Sequence, residues 1–183
     1  MKATTWEETM ASTIQIDHIA KPQYVIEYAN DLRELRIQLH EERRQGDESK
    51  DPRLSIPPWE VSGRISEACG RNYVFIVWQA RDTPARKIIG MATLVIAHTI
   101  DEGHHGMIKD FVIHRDHQTP ELIRELIRTI QRKAEHLQMI AVMSTPYTQA
   151  HREVYTDLGF NAYDEVNMRF IIQEPLLPSS TKE

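Results

Sequence analysis

The sequence predicts one mixed α/β (α+β) domain, with a mostly antiparallel central sheet and helices on both faces. Strand-like and helix-like segments alternate across residues 12–173, which we expect to form a single domain. Three strands in succession between residues 73 and 113 indicate an antiparallel meander, and the strand–helix–strand order of residues 107–143 indicates a parallel pair. Residues 1–11 and 174–183 are polar or proline-bearing and are expected to be flexible.

The first three elements follow from their apolar patterns. Residues 12–20 alternate in strand fashion. Residues 24–43 carry apolar side chains at helical spacing, and a loop rich in charge, glycine and proline ends that helix. Residues 59–68 form a second, short helix that ends near Gly70.

Three runs rich in β-branched residues predict the strands of the meander. The runs cover residues 73–80, 87–98 and 108–113, and the second and third are joined by a turn over residues 99–106. Gly90 lies inside the second strand and indicates a bulge or a close backbone approach.

The helix of residues 120–137 has the clearest pattern, because its apolar residues recur every three or four positions. Thr119 is the expected N-cap, Pro120 suits the first helical position, and Glu121 complements the helix dipole. A strand over residues 139–143 follows the helix.

The last two elements are a helix over residues 149–158 and a strand over residues 165–172. Gly159 is expected at the position after the helix, where glycine adopts a positive φ at little cost.

Composition excludes several classes of function. The 183 residues are 40% hydrophobic and 27% charged, and the net charge of −5 argues against nucleic-acid binding. No apolar run approaches the roughly 20 residues of a membrane span. Cys69 is the single cysteine, so no intrachain disulfide forms, which fits a cytoplasmic protein. Its context is typical of a helix end, with a catalytic thiol as the alternative.

Three segments together resemble the GNAT superfamily of N-acyltransferases. They are the glycine-containing strand of residues 87–94, the strand and turn of residues 108–117, and the Tyr-x-x-Leu-Gly-Phe motif of residues 155–160. The resemblance spans residues 14–172. It implies transfer of an acetyl or other acyl group from a CoA thioester to the amine of a small molecule or peptide.

The resemblance also implies catalytic residues. Tyr155 corresponds to the tyrosine that often protonates the departing CoA thiolate, although it could equally anchor its helix to the sheet. Asp110 and His114 are candidates for the general base, which must take a proton from the acceptor amine. Strict alternation places both on one face of their strand. A structural role is the alternative for each.

The implied acyl-CoA site lies at the loop before residue 120. The family pattern is Gln/Arg-x-x-Gly-x-Gly/Ala, but here only Gln118 is kept, and Glu121 and Ile123 replace the small residues. Pro120 removes an amide that could hold the pyrophosphate, and Glu121 adds a negative charge. The residues implied in cofactor binding are Val112, Ile113, Gln118, Thr119, Glu121, Leu122 and Ile123.

The missing glycines leave two alternatives open. The protein could use another donor, such as an acyl carrier protein, or another chemistry, or it could be an inactive regulator or scaffold. A homodimer is possible. No metal is expected, although a metal site or an acid–base cluster is an alternative for five neighbouring histidines: His98, His104, His105, His114 and His117.

Overall fold

The computed structural model describes six stretches of the chain, which are residues 14–19, 28–44, 57–79, 86–99, 103–164 and 167–172. The predicted flexible ends lie outside them. The strands are β1 (Ile14–Ile19), β2 (Tyr73–Gln79), β3 (Lys87–Thr99), β4 (Gly103–Ile113), β5 (Ala141–Ser144), β6 (Asn161–Ala162) and β7 (Met168–Ile171). The α-helices are α1 (Ala29–Arg44), α2 (Pro58–Cys69), α3 (Pro120–His136) and α4 (Gln149–Asp157), and a 3-10 turn covers Arg115–His117.

The seven strands form one sheet in the order β1-β2-β3-β4-β5-β7-β6. Every neighbouring pair is antiparallel except β4 and β5, which are parallel because α3 carries the chain back between them. The predicted mixed, mostly antiparallel sheet is therefore confirmed.

Helices cover both faces of the sheet, as predicted, and each face has its own apolar core. Strand β2 shows the division, since Phe75 and Val77 belong to the core beneath α3 and α4. Val74 and Ile76 belong to the core beneath α1 and α2. This alternation along a strand buried on both faces explains the continuous apolar run in the sequence.

Several predicted boundaries were wrong. Strand β4 begins at Gly103, so the predicted turn of residues 99–106 contributes its last four positions to the strand. His104 and His105 pair there with His98 and Ala97 of β3, because cross-strand hydrogen bonds need only backbone and tolerate polar side chains.

The ends of two other elements also differ. Helix α1 begins at Ala29, and residues 24–27 of the predicted helix lie outside the described residues. The last strand begins at Met168 rather than residue 165. The two-residue strand β6 was not predicted, since so short a segment carries no periodic pattern.

Gly90 combines both features predicted for it. The register of β2 and β3 shifts where Val77 pairs with Gly90 and Trp78 pairs with Ile88. A Cβ at Gly90 would lie 3.2 Å from the carbonyl oxygen of Val112 on β4. The glycine therefore allows β4 to approach β3 closely at its C-terminal end. No helix in the described part of the chain is long and apolar enough to cross a membrane.

Candidate active site

An opening in the sheet between β4 and β5 forms the centre of the candidate site. Their parallel pairing covers only residues 106–108 and 142–144 and ends where Ile108 faces Ser144. Strand β4 continues to Ile113, but no strand of the described residues pairs with residues 109–113 on that side. We call residues 109–113 the open edge of β4.

A bulge lies within the open edge. Met91 pairs with Val112 and Thr93 with Lys109, so Asp110 and Phe111 stand opposite a single residue of β3. Asp110 has a φ of 50°, in the left-handed region. Bulges of this kind interrupt alternation and turn side chains to new directions.

The bulge corrects the prediction that Asp110 and His114 share a face. Phe111 and Ile113 lie in the core beneath α3, and Val112 lies in the core beneath α1. Ile108 lies in the same core as Phe111, although the two are three residues apart. Residues on one face of a regular strand are separated by an even number of positions, so the bulge changes the alternation between them. The strict alternation on which that prediction depends is therefore interrupted between Ile108 and Phe111.

The backbone of Ile113 points into the opening. Ile113 pairs with Gly90, and the next amide, of His114, donates to the carbonyl of Ile89 at 2.7 Å. In an antiparallel ladder this makes Ile113 and Gly90 a non-hydrogen-bonded pair, so the Ile113 N–H and C=O face away from β3. The amide of Ile113 is thus presented at the open edge.

Gln38 of α1 closes the far end of the open edge, and the sequence did not single it out. Its Nε2 donates to the Ile113 carbonyl at 2.8 Å, and the Arg115 amide donates to its Oε1 at 3.1 Å. A residue of a parallel strand would make the same two bonds. The sequence signal that could have identified it is a glutamine at helical spacing within the apolar stripe of Leu35 and Leu39, and the structure shows that it is buried.

The Tyr155-to-Phe160 motif forms the C-terminal stop of α4. Phe160 N–H donates to the Tyr155 carbonyl and Gly159 N–H to the Thr156 carbonyl, each at 3.0 Å. Gly159 has a φ of 85°, as predicted for its position. This is a Schellman motif, and the rings of Tyr155 and Phe160 make its usual apolar contact, edge to face at 4.8 Å.

Tyr155 is 1% exposed and reaches the inner end of the opening. Burial raises the pKa of its phenol well above the ordinary value, and its hydrogen bond with the Ser144 side chain acts in the opposite direction. Ser144 is the last residue of β5 and pairs with Ile108, where the open edge begins. The phenol therefore contacts the end of β5 and lies beside the opening.

His151 joins α4 to the loop before α3, and this contact was not predicted. The imidazole is 2% exposed, lies 2.9 Å from the Gln118 amide nitrogen, and contacts the Phe111 ring edge to face. Burial lowers the pKa of His151. A neutral ring with its proton on Nδ1 lets Nε2 accept from Gln118.

The N-terminus of α3 has few amides to offer a phosphate. Pro120 has no N–H, and the Leu122 amide donates to Thr119 Oγ1 at 3.3 Å, which confirms the predicted N-cap. The Ile123 amide donates to the Thr119 carbonyl at 3.0 Å. In this first turn Glu121 supplies the remaining amide, together with a carboxylate.

The histidines near the loop serve local contacts. His114 Nδ1 accepts from the Asp116 amide at 3.4 Å and lies 3.6 Å from its carboxylate. The rings of His98 and His104 stack at 4.5 Å. The described residues contain no group of three or more metal-ligating side chains placed to hold an ion.

Comparison with known proteins identifies the family of this chain. The profile of the acetyltransferase (GNAT) family matches residues 29–160, which run from α1 through the Tyr155-to-Phe160 motif. The chain belongs to this family. The prediction of a GNAT-like N-acyltransferase is thereby confirmed at the level of the family. No curated protein sequence matches the chain significantly.

Solved acetyltransferase structures share the fold of this chain. The ribosomal-protein-S5-alanine acetyltransferase of Vibrio fischeri superimposes with a TM-score of 0.62 at 16% identity, covering 89% of this chain and 96% of its own. The putative acetyltransferase yncA of Salmonella typhimurium, solved with its cofactor acetyl-CoA, also gives 0.62, at 14% identity and 92% and 99% coverage. Glucosamine-6-phosphate N-acetyltransferase of Arabidopsis thaliana gives 0.57, at 14% identity and 83% and 94% coverage.

Proposed function

We propose that this GNAT protein transfers an acyl group, acetyl in the simplest case, from acyl-CoA to the amine of a small molecule or peptide. One observation carries the proposal, namely the open edge of β4. It is bounded by Ser144 at one end and Gln38 at the other, and the Ile113 amide faces into it. An extended amide-bearing chain such as pantetheine can pair with an unpaired strand edge.

Acyl transfer at this edge needs a hydrogen-bond donor to the thioester carbonyl and a proton for the leaving sulfur. The Ile113 N–H, flanked by Val112, is suited to polarise the carbonyl as the amine attacks. The general base takes a proton from the amine, the C–N bond forms as the C–S bond breaks, and the phenol of Tyr155 gives its proton to the thiolate. Burial opposes an ionised Tyr155, so it regains its proton before the next turnover.

Asp110 and His114 are our candidates for the general base. The bulge between them removes the strict alternation that would place both on one face. Asp110 lies in the bulge of the open edge, and His114 begins the turn that leads to α3. Loss of acyl transfer in Asp110→Asn or in His114→Gln, with folding intact, identifies which one acts.

The loop and α3 are suited to hold the donor's pyrophosphate only in part. The resemblance to the family implies this position for Gln118, Thr119, Glu121, Leu122 and Ile123. The Leu122 and Ile123 amides are engaged by Thr119, and the Gln118 amide nitrogen contacts His151. We therefore propose that the acyl and pantetheine portions supply most of the binding energy.

The reduced phosphate site favours a second donor, a phosphopantetheine arm on an acyl carrier protein. Such a donor presents the same thioester and pantetheine without the nucleotide. The third alternative is an inactive regulator, in which no acyl donor binds.

We also propose a cytoplasmic location, in keeping with the single cysteine. We further propose a homodimer, which light scattering of the purified protein tests.

Isothermal titration calorimetry with acetyl-CoA tests the proposed function, together with native mass spectrometry of the purified protein. Micromolar binding, or CoA retained through purification, supports acyl-CoA as donor. Absence of binding at millimolar acetyl-CoA contradicts it. Binding of an acylated carrier protein under those conditions favours the second donor.

A further inference from the structure

Helix α4 presents two buried side chains to the open edge of β4, and the proposed acyl transfer uses only one of them. Tyr155 and His151 lie four positions apart, so they project from the same side of α4. Both rings contact the Phe111 ring edge to face, with centroid distances of 6.3 Å and 5.8 Å respectively. Since Phe111 lies in the bulge of the open edge, α4 holds this part of the edge at two points.

The two α4 side chains make their polar contacts with different segments of the chain. Tyr155 is hydrogen-bonded to the Ser144 side chain at the end of β5, where the open edge begins. The Nε2 atom of His151 lies 2.9 Å from the amide nitrogen of Gln118, in the loop that follows the open edge. Helix α4 therefore connects the strand beside the opening with the loop that leaves it.

The environment of His151 indicates a role beyond core packing. Its backbone amide donates to the N-cap side chain of Thr148 at 3.1 Å, and the residue is 2% exposed. Burying an imidazole costs free energy that an apolar side chain at the same position would not cost. A buried polar side chain with a directional hydrogen bond favours one arrangement of its partner. The contact therefore fixes the half-buried Gln118 and its loop relative to Phe111.

We propose that His151 is a positioning residue of the acyl-donor site, which fixes the Gln118 loop and the Phe111 ring before the donor binds. The inference rests on the proposed function, because it requires an acyl donor to lie along the open edge. A preformed site binds more tightly than one that its ligand must order, since less conformational entropy is lost on binding. His151 acts through Gln118 and Phe111 rather than on the donor itself.

The Kd of acetyl-CoA, measured by calorimetry, tests this role. His151→Phe keeps a ring against Phe111 but loses the hydrogen bond, so the Kd should rise about five- to tenfold, as expected for one hydrogen bond. Gln118→Met removes the same bond from the half-buried loop side and should raise the Kd by a similar factor. His151→Gln can still bond Gln118 and should keep the Kd within about threefold of wild type.

The double variant of His151→Phe and Gln118→Met distinguishes a shared role from two independent ones. Because both changes remove one and the same bond, its Kd should lie within about twofold of the higher single-variant Kd. Independent contributions would multiply instead and raise the Kd roughly 25- to 100-fold above wild type.

Gln131→Met is the matched control for a purely structural hydrogen bond. Gln131 of α3 is 7% exposed, and its Nε2 donates to the Leu158 carbonyl at the end of α4 at 3.2 Å. This bond joins α3 to α4 about three helical turns beyond the loop. Its loss should lower the melting temperature, whereas the Kd of acetyl-CoA should stay within about twofold of wild type.

Four results overturn the inference. A Kd within about twofold of wild type in Gln118→Met, or in a folded His151→Phe protein, shows that the bond does not serve donor binding. Equal losses in His151→Gln and His151→Phe assign the effect to something other than the hydrogen bond. An equal rise in Gln131→Met indicates a general loosening of the helices, and multiplied effects in the double variant indicate independent roles. By contrast, a wild type that does not bind acetyl-CoA at all contradicts the proposed function itself.

Discussion

The open edge of β4 and the N-terminus of α3 meet at one corner of the fold, but they use their backbone polar groups in opposite ways. At the edge, the Ile113 amide faces an opening that no strand of the described residues fills. At the helix, Pro120 lacks an amide and Thr119 engages those of Leu122 and Ile123. Sheet topology determines the first region, whereas local capping residues determine the second and engage amides that a free helix N-terminus would offer to an anion.

The largest expected effect concerns Tyr155, which closes the inner end of the open edge. Tyr155→Ala should lower the free energy of unfolding by about 3–5 kcal/mol, because a fully buried ring is lost. Tyr155→Phe keeps the ring against Phe160 and should cost about 1 kcal/mol, the hydrogen bond with Ser144. Urea unfolding measures both.

The rate of acyl transfer in Tyr155→Phe then distinguishes a role in anchoring α4 from a role in proton donation. The Phe variant should lose about 100-fold or more in rate, since general acid catalysis typically contributes about 100- to 10,000-fold. A folded Phe variant with the wild-type rate would leave the tyrosine only its anchoring role.

A smaller effect is expected at Gly159, whose positive φ ends α4 and sets the position of Tyr155. Gly159→Ala should lower the free energy of unfolding by about 1–2 kcal/mol, since an L side chain is strained there. Gly63 of α2 is the control, because a Cβ there meets no atom within 4 Å. Gly63→Ala should stabilise by roughly 0.5–1 kcal/mol in the same assay, and a loss at both sites would argue against the Schellman stop.

His151 links the two regions and should make stability depend on pH. Its folded-state pKa is lowered by burial, so the unfolded chain binds the proton more readily. Stability should therefore fall as the pH decreases below about 6.5, the unfolded value, towards the folded pKa. Urea unfolding between pH 5 and 8 measures this, and His151→Gln should flatten the acid side of the curve. An unchanged slope in the variant would assign the dependence to other histidines.

The smallest expected effect concerns the helix N-terminus. Glu121→Gln should raise acetyl-CoA affinity about two- to fivefold, because one negative charge leaves the positive end of α3. Glu125→Gln is the control, since Glu125 lies one turn further along α3 and pairs with Arg132. Calorimetry should find the affinity of Glu125→Gln for acetyl-CoA within about twofold of wild type. Equal gains in both variants would indicate an effect of net charge alone.

Much of the fold could be predicted from sequence, because its signals are local. The 3.6-residue period of α3, the Thr119-Pro120 start and the Gly159 stop all appear where the sequence places them. Gly90 likewise marked a close approach of neighbouring strands. Features that depend on a single helix or strand can therefore be predicted from one sequence.

The candidate site was less predictable, because it depends on contacts between distant elements. Gln38 lies on α1, 75 residues before Ile113, whose carbonyl it binds at the strand edge. The bulge at Asp110 changes the alternation without a glycine to mark it. The contact of His151 with Gln118 likewise requires α4 and the loop to be docked.

The most direct test compares acetyl-CoA with acetyl-pantetheine, which lacks the nucleotide and its pyrophosphate. If the open edge of β4 supplies most of the binding energy and the α3 N-terminus little, the two Kd values from calorimetry should agree within about tenfold, or about 1.4 kcal/mol. A Kd for acetyl-CoA more than about 100-fold lower than that for acetyl-pantetheine would contradict the account, since it would show that the glycine-free loop still holds the pyrophosphate strongly.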